Sequence, residues 1–457
     1  MNRKIRLNLE RRQLLFFLGT VFVIYFLWSV FLPVNAAPDE AMRFQIPNYI
    51  YRNGSLPAGY DPQIRDANWG FSYAFLPYLA GIFSSFFMKV ASIFSTAPEV
   101  LFAAARFTSV VCGTLTAFFC YKLGTELFDG MYRWVFVSLI VFLPQFAFCA
   151  SYHNNESLAL MSISMILYCW VRGVRYGWPV KICVLFGIAL SICFLSYYNA
   201  YGFILCSALI FIISAAFQGD GKIHWKPLFG KGFFIVGVVL VLAGWWFIRN
   251  CFLYDGDFLG RAALNICGEQ YAIESLKPSV RETLKSQGYS LLGMLKNTAW
   301  IQISYQSFIG VFGWMDVWMS GWIYSAFLAL FGLAGVGLLL KIKNFWQRRK
   351  TAFKEGGAAL RGRLLFEAAL LLGMGITLGL SLHYSYTSDF QPQGRYLLPM
   401  LIPLMYFVTM GLRALFQKLT AVLKRPSLER VLACAVLVFM LLALGFALAT
   451  AVVPAYC

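Results

Sequence analysis

Apolar and polar positions alternate along this chain in long blocks rather than at helical or strand period. Predominantly apolar runs lie near 13–32, 71–94, 100–121, 134–150, 157–171, 181–198, 201–217, 232–250, 318–340, 364–386, 396–412 and 431–453. Runs of about 20 residues match the hydrocarbon thickness of a bilayer, and only helices satisfy their own backbone there. The pattern therefore predicts an all-α polytopic membrane protein, with residues 1–457 forming one transmembrane unit. No internal repeat is visible, and the halves differ too much for the inverted repeats of a transporter.

Charge decides how many runs cross. Lys and Arg gather in short loops: Arg172, Arg175 and Lys181; Lys222, Lys226 and Lys231; Lys341, Lys343, Arg348, Arg349, Lys350 and Lys354; Arg413, Lys418, Lys424 and Arg425. Twelve crossings would strand the loops at 172–181 and 218–231 outside, against the retention of basic loops in the cytoplasm. Treating 71–94 as non-spanning restores them. That run carries Lys89, is interrupted by Pro77 and is rich in Phe, Tyr and Ser, as suits a segment lying in the interface. The expectation is eleven spans, with the N-terminus in the cytoplasm and the C-terminus outside. The first outer loop, 33–99, would hold juxtamembrane helices, and a second large outer loop would run over 250–319. The first span lacks a small-residue cleavage site and reads as a retained helix.

Composition agrees: 60% of residues are hydrophobic and 13% charged. The net charge of +18 would suit nucleic acid, but its confinement to short loops excludes that partner. Of eleven Cys, Cys112, Cys120, Cys183, Cys193, Cys206 and Cys434 lie in apolar runs and read as packing residues, while Cys251 and Cys267 share the second outer loop and could pair. No Cys and His spacing indicates a metal, so no cofactor is expected, and a divalent metal stays open without being required by any visible ligand cluster.

Candidate chemistry collects at the outer ends of the spans. Asp39, Glu40 and Arg43 follow the first span. Arg106 lies near the outer end of the second. His153, Asn155 and Glu156 join the third to the fourth. Arg249, Asp255 and Asp257 follow the seventh, and Tyr384, Tyr386 and Asp389 lead to Gln393-Gly394-Arg395-Tyr396. Acidic groups at membrane depth are costly and mark function by default. Asp39 reads either as a cap of the next helix or as a general base, with Glu40 raising its pKa by repulsion. Arg395 suits a phosphate, which its planar fork matches bidentately, or a snorkelling contact with headgroups. Arg106 and Arg249 serve as further phosphate ligands or as partners of Glu156 and Asp257. His153 reads first as a structural histidine, and Asp255 and Asp257 as a turn, with substrate contact as the minority reading.

In order along the chain, several motifs resemble those of the GT-C membrane glycosyltransferases. These are Pro38-Asp39-Glu40; Ala105-Arg106-Phe107 through Lys122–Phe128 to Leu143-Pro144; and Asn155-Glu156-Ser157-Leu158. They continue with Trp246–Asn250 and Tyr254–Asp257, Ser307-Phe308 with Phe312-Gly313-Trp314, and Gln393–Pro399. The resemblance spans nearly the whole chain. It is nearest to a poorly characterised bacterial branch related to protein O-mannosyltransferases and the lipid A aminoarabinose transferase. It departs where many members have a His soon after Asp-Glu, here Arg43, and where Asn-Asp is common, here Asn155-Glu156. An extended C-terminal soluble domain such as larger relatives carry is not expected.

The resemblance implies an inverting transfer of a sugar from a polyprenyl-phosphate carrier to an acceptor hydroxyl on the outer face of a bacterial plasma membrane. Asp39, beside Glu40, would be the base. Arg395, Arg106 and Arg249 would hold the donor phosphate, and His153, Asn155, Glu156, Tyr396 and Asp257 the substrates. The acceptor would be a cell-envelope glycan, lipid or protein. A lipid-linked glycan polymerase or ligase, and a lipid-linked-sugar flippase, are the competing readings.

Overall fold

A computed structural model of the chain describes residues 3–217 and 223–456, with side chains described outside 3–9 and 348–356. Lys222 and the side chains of Arg348, Arg349, Lys350 and Lys354 therefore lie outside the described residues. The chain is a bundle of helices with a single two-stranded ribbon among the described residues, β1 (Val311–Phe312) against β2 (Val317–Trp318), antiparallel with Val311 opposite Trp318.

The first helix, α1 (Arg3–Phe31), is followed by α2 (Glu40–Asn53), α3 (Leu79–Ala91), α4 (Pro98–Leu127), α5 (Tyr132–Val141), α6 (Pro144–Cys149), α7 (Glu156–Tyr176), α8 (Val180–Phe194) and α9 (Gly202–Ala216). Then come α10 (Trp225–Val239), joined through a π-turn to α11 (Trp245–Leu253), and α12 (Arg261–Tyr271), α13 (Leu291–Asn297) and α14 (Trp300–Gly310). The chain continues with α15 (Gly321–Thr387), broken at Gly357, α16 (Leu401–Leu423) and α17 (Pro426–Ala447), and ends through a π-turn in the short α18 (Val453–Tyr456). Among the described residues, nine stretches are helical, long and apolar enough to cross a membrane unaided. The polytopic α-helical fold expected from the runs is thus observed.

Two runs behave differently from a simple span. The 134–150 run is split into α5 and α6, because Pro144 opens α6 at its first turn and the residue before a proline disfavours helical backbone. The 181–198 run is helical only through α8, 15 residues, and ends in a turn at Tyr198–Ala200. Both nonetheless lead from one end of the bundle to the other. Glu126 at the end of α4 pairs with Arg172 and Arg175 at the end of α7, while His153 and Glu156, at the start of α7, meet Glu40 and Arg43. The 71–94 run forms only the 13-residue α3. At 1.5 Å per residue it is far too short to cross about 30 Å of hydrocarbon. It rests on α2 and α4, leaving Phe83, Phe86, Ile93 and Phe94 exposed.

The helices share two ends of opposite chemistry. Arg172, Arg175, Lys231 and Arg413 lie at one, with Lys231 donating to the Gly177 carbonyl and Arg413 beside Asp129. The other receives the loops 32–78 and 254–299, and there the polar residues of the sequence motifs converge. Between the ends, α15 and α16 pack so closely that a Cβ on Gly337 would strike the Gly411 carbonyl. Contact at that range needs residues without side chains, as in other tightly packed membrane helices.

Candidate active site

Asp39 ends the short loop after α1 with left-handed backbone, φ 61° and ψ 5°. Asp tolerates that region better than most residues, yet it stores strain of order 1–3 kcal/mol that surroundings must impose. The turn decides where the side chain goes. Although Asp39 occupies the N-cap position of α2, its carboxylate makes no capping hydrogen bond. Instead Arg395 Nη2 donates to Asp39 Oδ2 at 2.7 Å. The capping reading of Asp39 therefore does not describe this side chain.

Arg395 lies in the turn that opens α16, and a glycine seats it. A Cβ on Gly394 would collide with the backbone of Phe308 in α14, and Gly394 N donates to Ser307 Oγ at 2.6 Å. Arg395 also donates to the Tyr396 hydroxyl at 3.2 Å, and its buried Nε has no partner. One turn along α2 from Asp39, Arg43 sits 4.6 Å from the Tyr73 ring centroid and 3.6 Å from Glu156 Oε1. Asp39, Arg43, Tyr73, Asn155, Tyr197 and Tyr396 form part of the wall of a cavity of about 350 Å³. Burial pushes the Asp39 pKa up, but the Arg395 guanidinium, then Arg43 and hydrogen bonds from Arg395 and Tyr73, outweigh it and hold the carboxyl below its ordinary value. Asp39 is therefore an ionised acceptor facing open space.

Glu40, its neighbour in sequence, points the other way and is wholly buried. Arg106 grips it through both edges of the fork, Nε to Oε1 at 2.8 Å and Nη2 to Oε2 at 2.7 Å. The remaining Arg106 donors go to the carbonyls of Ser29, Leu32 and Pro33, closing the end of α1. His153 N donates to Glu40 Oε1 at 2.9 Å, and His153 Nδ1 meets Ser84 Oγ at 3.1 Å. Neither Glu40, Arg106 nor His153 lines the cavity. Burial, with Arg43 adding to it, pushes the His153 pKa down to about 3, so the ring is neutral.

The other expected residues divide. Asn155 reaches the wall and donates to the Pro77 carbonyl at 3.1 Å, whereas Glu156 stands behind Arg43, 2% exposed. Arg249 donates to the Pro57 carbonyl at 2.7 Å, tying α11 to the loop after α2, away from the cavity wall. Asp257 caps α12, accepting from the amides of Gly260 and Ala263, and Asp255 is exposed with positive φ. Cys251 and Cys267 are separate free thiols. Tyr73, Tyr197, Asn199, Arg261 and Arg281 also line the cavity. Motif order did not single them out, because each sits in an irregular turn or the second large loop. The polar cluster Tyr197-Tyr198-Asn199 that breaks the 181–217 apolar stretch was the one local sign. Among the described residues no group of three His, Cys, Asp or Glu could hold a metal ion. Asp39, Glu40 and Glu156 each face a guanidinium.

No family model matches the chain, and no curated protein matches it. Solved structures do. The apo Archaeoglobus fulgidus oligosaccharyltransferase matches over 93% of this chain and 55% of its own length, with a TM-score of 0.55 at 15% identity. The chain thus spans about half of that protein. The aminoarabinose transferase ArnT from Cupriavidus metallidurans matches in its apo state over 96% of this chain and 76% of its own, with a TM-score of 0.53 at 13% identity. Bound to undecaprenyl phosphate, it matches over 95% and 76%, with a TM-score of 0.51 at 13% identity. At such identities the likeness is one of fold: this chain shares the membrane-helical fold of the archaeal oligosaccharyltransferase and of ArnT.

Proposed function

We propose that this protein is an inverting glycosyltransferase that moves a sugar from a polyprenyl-phosphate carrier to an acceptor hydroxyl, with Asp39 as the base. The observation that carries this reading is the Asp39–Arg395 pair, 2.7 Å apart, with Asp39 in the wall of the cavity and Arg395 buried directly behind it. It supplies an ionised proton acceptor and an adjoining cation. The undecaprenyl phosphate held by ArnT, a protein of the same fold, supports the choice of donor.

In this scheme the acceptor oxygen attacks the anomeric carbon from the face opposite the carrier phosphate. The bond from that carbon to the phosphate oxygen breaks, the electron pair leaves on the phosphate, and the acceptor proton passes to Asp39. Arg395 stabilises the charge that grows on the leaving phosphate. A guanidinium shared with phosphate holds Asp39 less firmly, so donor binding raises the basicity of the carboxylate. The Glu40–Arg106 pair acts by positioning, since it joins the end of α1 to α4 and to the loop before α7, just behind Asp39. Arg43 and Asn155 are proposed as substrate contacts, together with Tyr396.

The basic loops lie at the end of the bundle opposite Asp39. Positive-inside retention then supports an outward-facing site, with 33–99 and 250–319 as outer loops. Counting the end-to-end paths through α5–α6 and α8 with the nine long helices supports eleven crossings. We assign the chain to the bacterial plasma membrane.

The test is turnover of labelled polyprenyl-phosphate sugars by purified native protein, Asp39→Asn and Arg395→Ala. Asp39→Asn is expected to bind donor and fail to transfer; unchanged turnover sinks the base assignment. Arg395→Ala is expected to lose donor affinity; native affinity sinks the phosphate contact.

A further inference from the structure

Three arginines line the cavity, and they are not alike. Arg43, from α2, is 8% exposed and stands beside Glu156. Arg261, at the start of α12, and Arg281, ten residues past its end, belong to the second large loop, and neither forms an ion pair with a described residue. Other arginines at this end use their donors within the protein. Arg65 donates to the Tyr60 carbonyl and lies 3.7 Å from the Tyr271 ring centroid, while Arg106 and Arg249 serve backbone carbonyls. Arg281 has only the face of Trp69, 5.9 Å away.

The same wall carries two carboxylates, Asp39 and Asp389. Asp39 is matched by Arg395, and Asp389 accepts from Gln391 Nε2 at 2.5 Å. Arg261 and Arg281 thus bring to the cavity positive charge that no ion pair within the fold neutralises. Guanidiniums that line a concave wall and meet no carboxylate of the described residues are available to an anionic ligand. We propose that Arg261 and Arg281 form a second anion subsite in this cavity, taking a phosphate or carboxylate other than the phosphate held at Arg395. The proposal rests on the glycosyltransferase reading for its substrates. The anion comes either from the acceptor, which is then an acidic glycan, or from a second phosphate on the carrier. Tyr198 and Tyr384 line the same wall.

Binding rather than turnover tests this, so that failure of the Asp39 assignment leaves it standing. Full-length protein in nanodiscs would be titrated with undecaprenyl phosphate, undecaprenyl diphosphate, and a glycerol-phosphate oligomer beside a neutral oligosaccharide of equal length. Native protein would be compared with Arg261→Gln/Arg281→Gln and with Arg261→Lys/Arg281→Lys. If the acceptor brings the anion, the Gln pair weakens binding of the glycerol-phosphate oligomer about tenfold and leaves both lipids unchanged, which is about 1.4 kcal/mol at this site. If the carrier brings it, the Gln pair removes the preference for diphosphate over monophosphate. The Lys pair keeps part of either effect, because charge remains while the fork is lost. Equal binding of every probe by native protein and the Gln pair, including no binding by either, overturns the subsite.

Discussion

Asp39 and Glu40 are adjacent in the chain and carry the same charged group, yet the fold treats them in opposite ways. Glu40 is sealed between helices, held by both edges of the Arg106 fork and by the His153 amide. Asp39 keeps a quarter of its side chain exposed, has one guanidinium donor and faces the cavity. Each pair has a closest contact of 2.7 Å. The difference lies in what else surrounds them. A buried ion pair with every donor satisfied is a strut, since removing either member leaves an uncompensated charge. A pair with an open side and an unpartnered Arg395 Nε can exchange partners. The left-handed turn at Asp39 produces the divergence by rotating the two carboxylates to opposite sides of the chain.

The most severe separation of the two roles comes from Asp39→Asn. Transfer should fall about 10²- to 10⁴-fold, the usual weight of a positioned base, with little change in thermal unfolding. Loss of folding instead would make Asp39 a second strut. Next, Glu40→Gln should destabilise the protein by about 3–5 kcal/mol, because Arg106 is left buried with a neutral partner. Detergent-resistant unfolding measures this, and native stability would remove the distinction drawn here. Gly394→Ala should cost about 1–3 kcal/mol by overpacking against α14. It should also weaken donor binding, since Arg395 can no longer seat; an effect on stability alone would detach Gly394 from the site.

The smallest effect concerns pH. A carboxyl with a lowered folded pKa stabilises the protein above its unfolded pKa, and that contribution is lost as pH falls through the folded value. For Asp39 the acid limb of kcat/KM, which reports the enzyme before donor binds, should therefore lie below the ordinary Asp value of about 3.9. Arg395→Lys should move it upward, because the ammonium does not reproduce the Arg395 Nη2 donor at 2.7 Å and holds the carboxylate less firmly. His153 has the same sign, over a higher pH range. Its folded pKa of about 3 is below that of the unfolded chain, so the pair of states loses stability as pH falls below about 6.5. His153→Gln should flatten that decline in an unfolding series.

Local chemistry made much of this protein legible. Run length announced the helices, and basic loops marked one end of the bundle, because transfer of apolar side chains and retention of cations depend on neighbours in sequence. Arg395 and Asp39 were both singled out, since charged residues at the ends of apolar runs are conspicuous. Their pairing was not, because 356 residues separate them. Nor was the sorting of Arg106 from Arg395, two similar cations near span ends that turn out to hold a wholly buried carboxylate and one that lines a cavity.

What the sequence alone determined was therefore the class of fold, the position of its helices and the set of charged groups at one end. Which carboxylate is open and which is a strut was decided by tertiary structure. Backbone rotation at Asp39, the close approach of Gly394 to α14 and the burial of Arg106 beneath α1 are set by contacts between distant segments. No local pattern of apolar and polar residues encodes them. The same holds for Arg261 and Arg281, unremarkable in a long loop until the fold brings them to the wall that also holds Asp39.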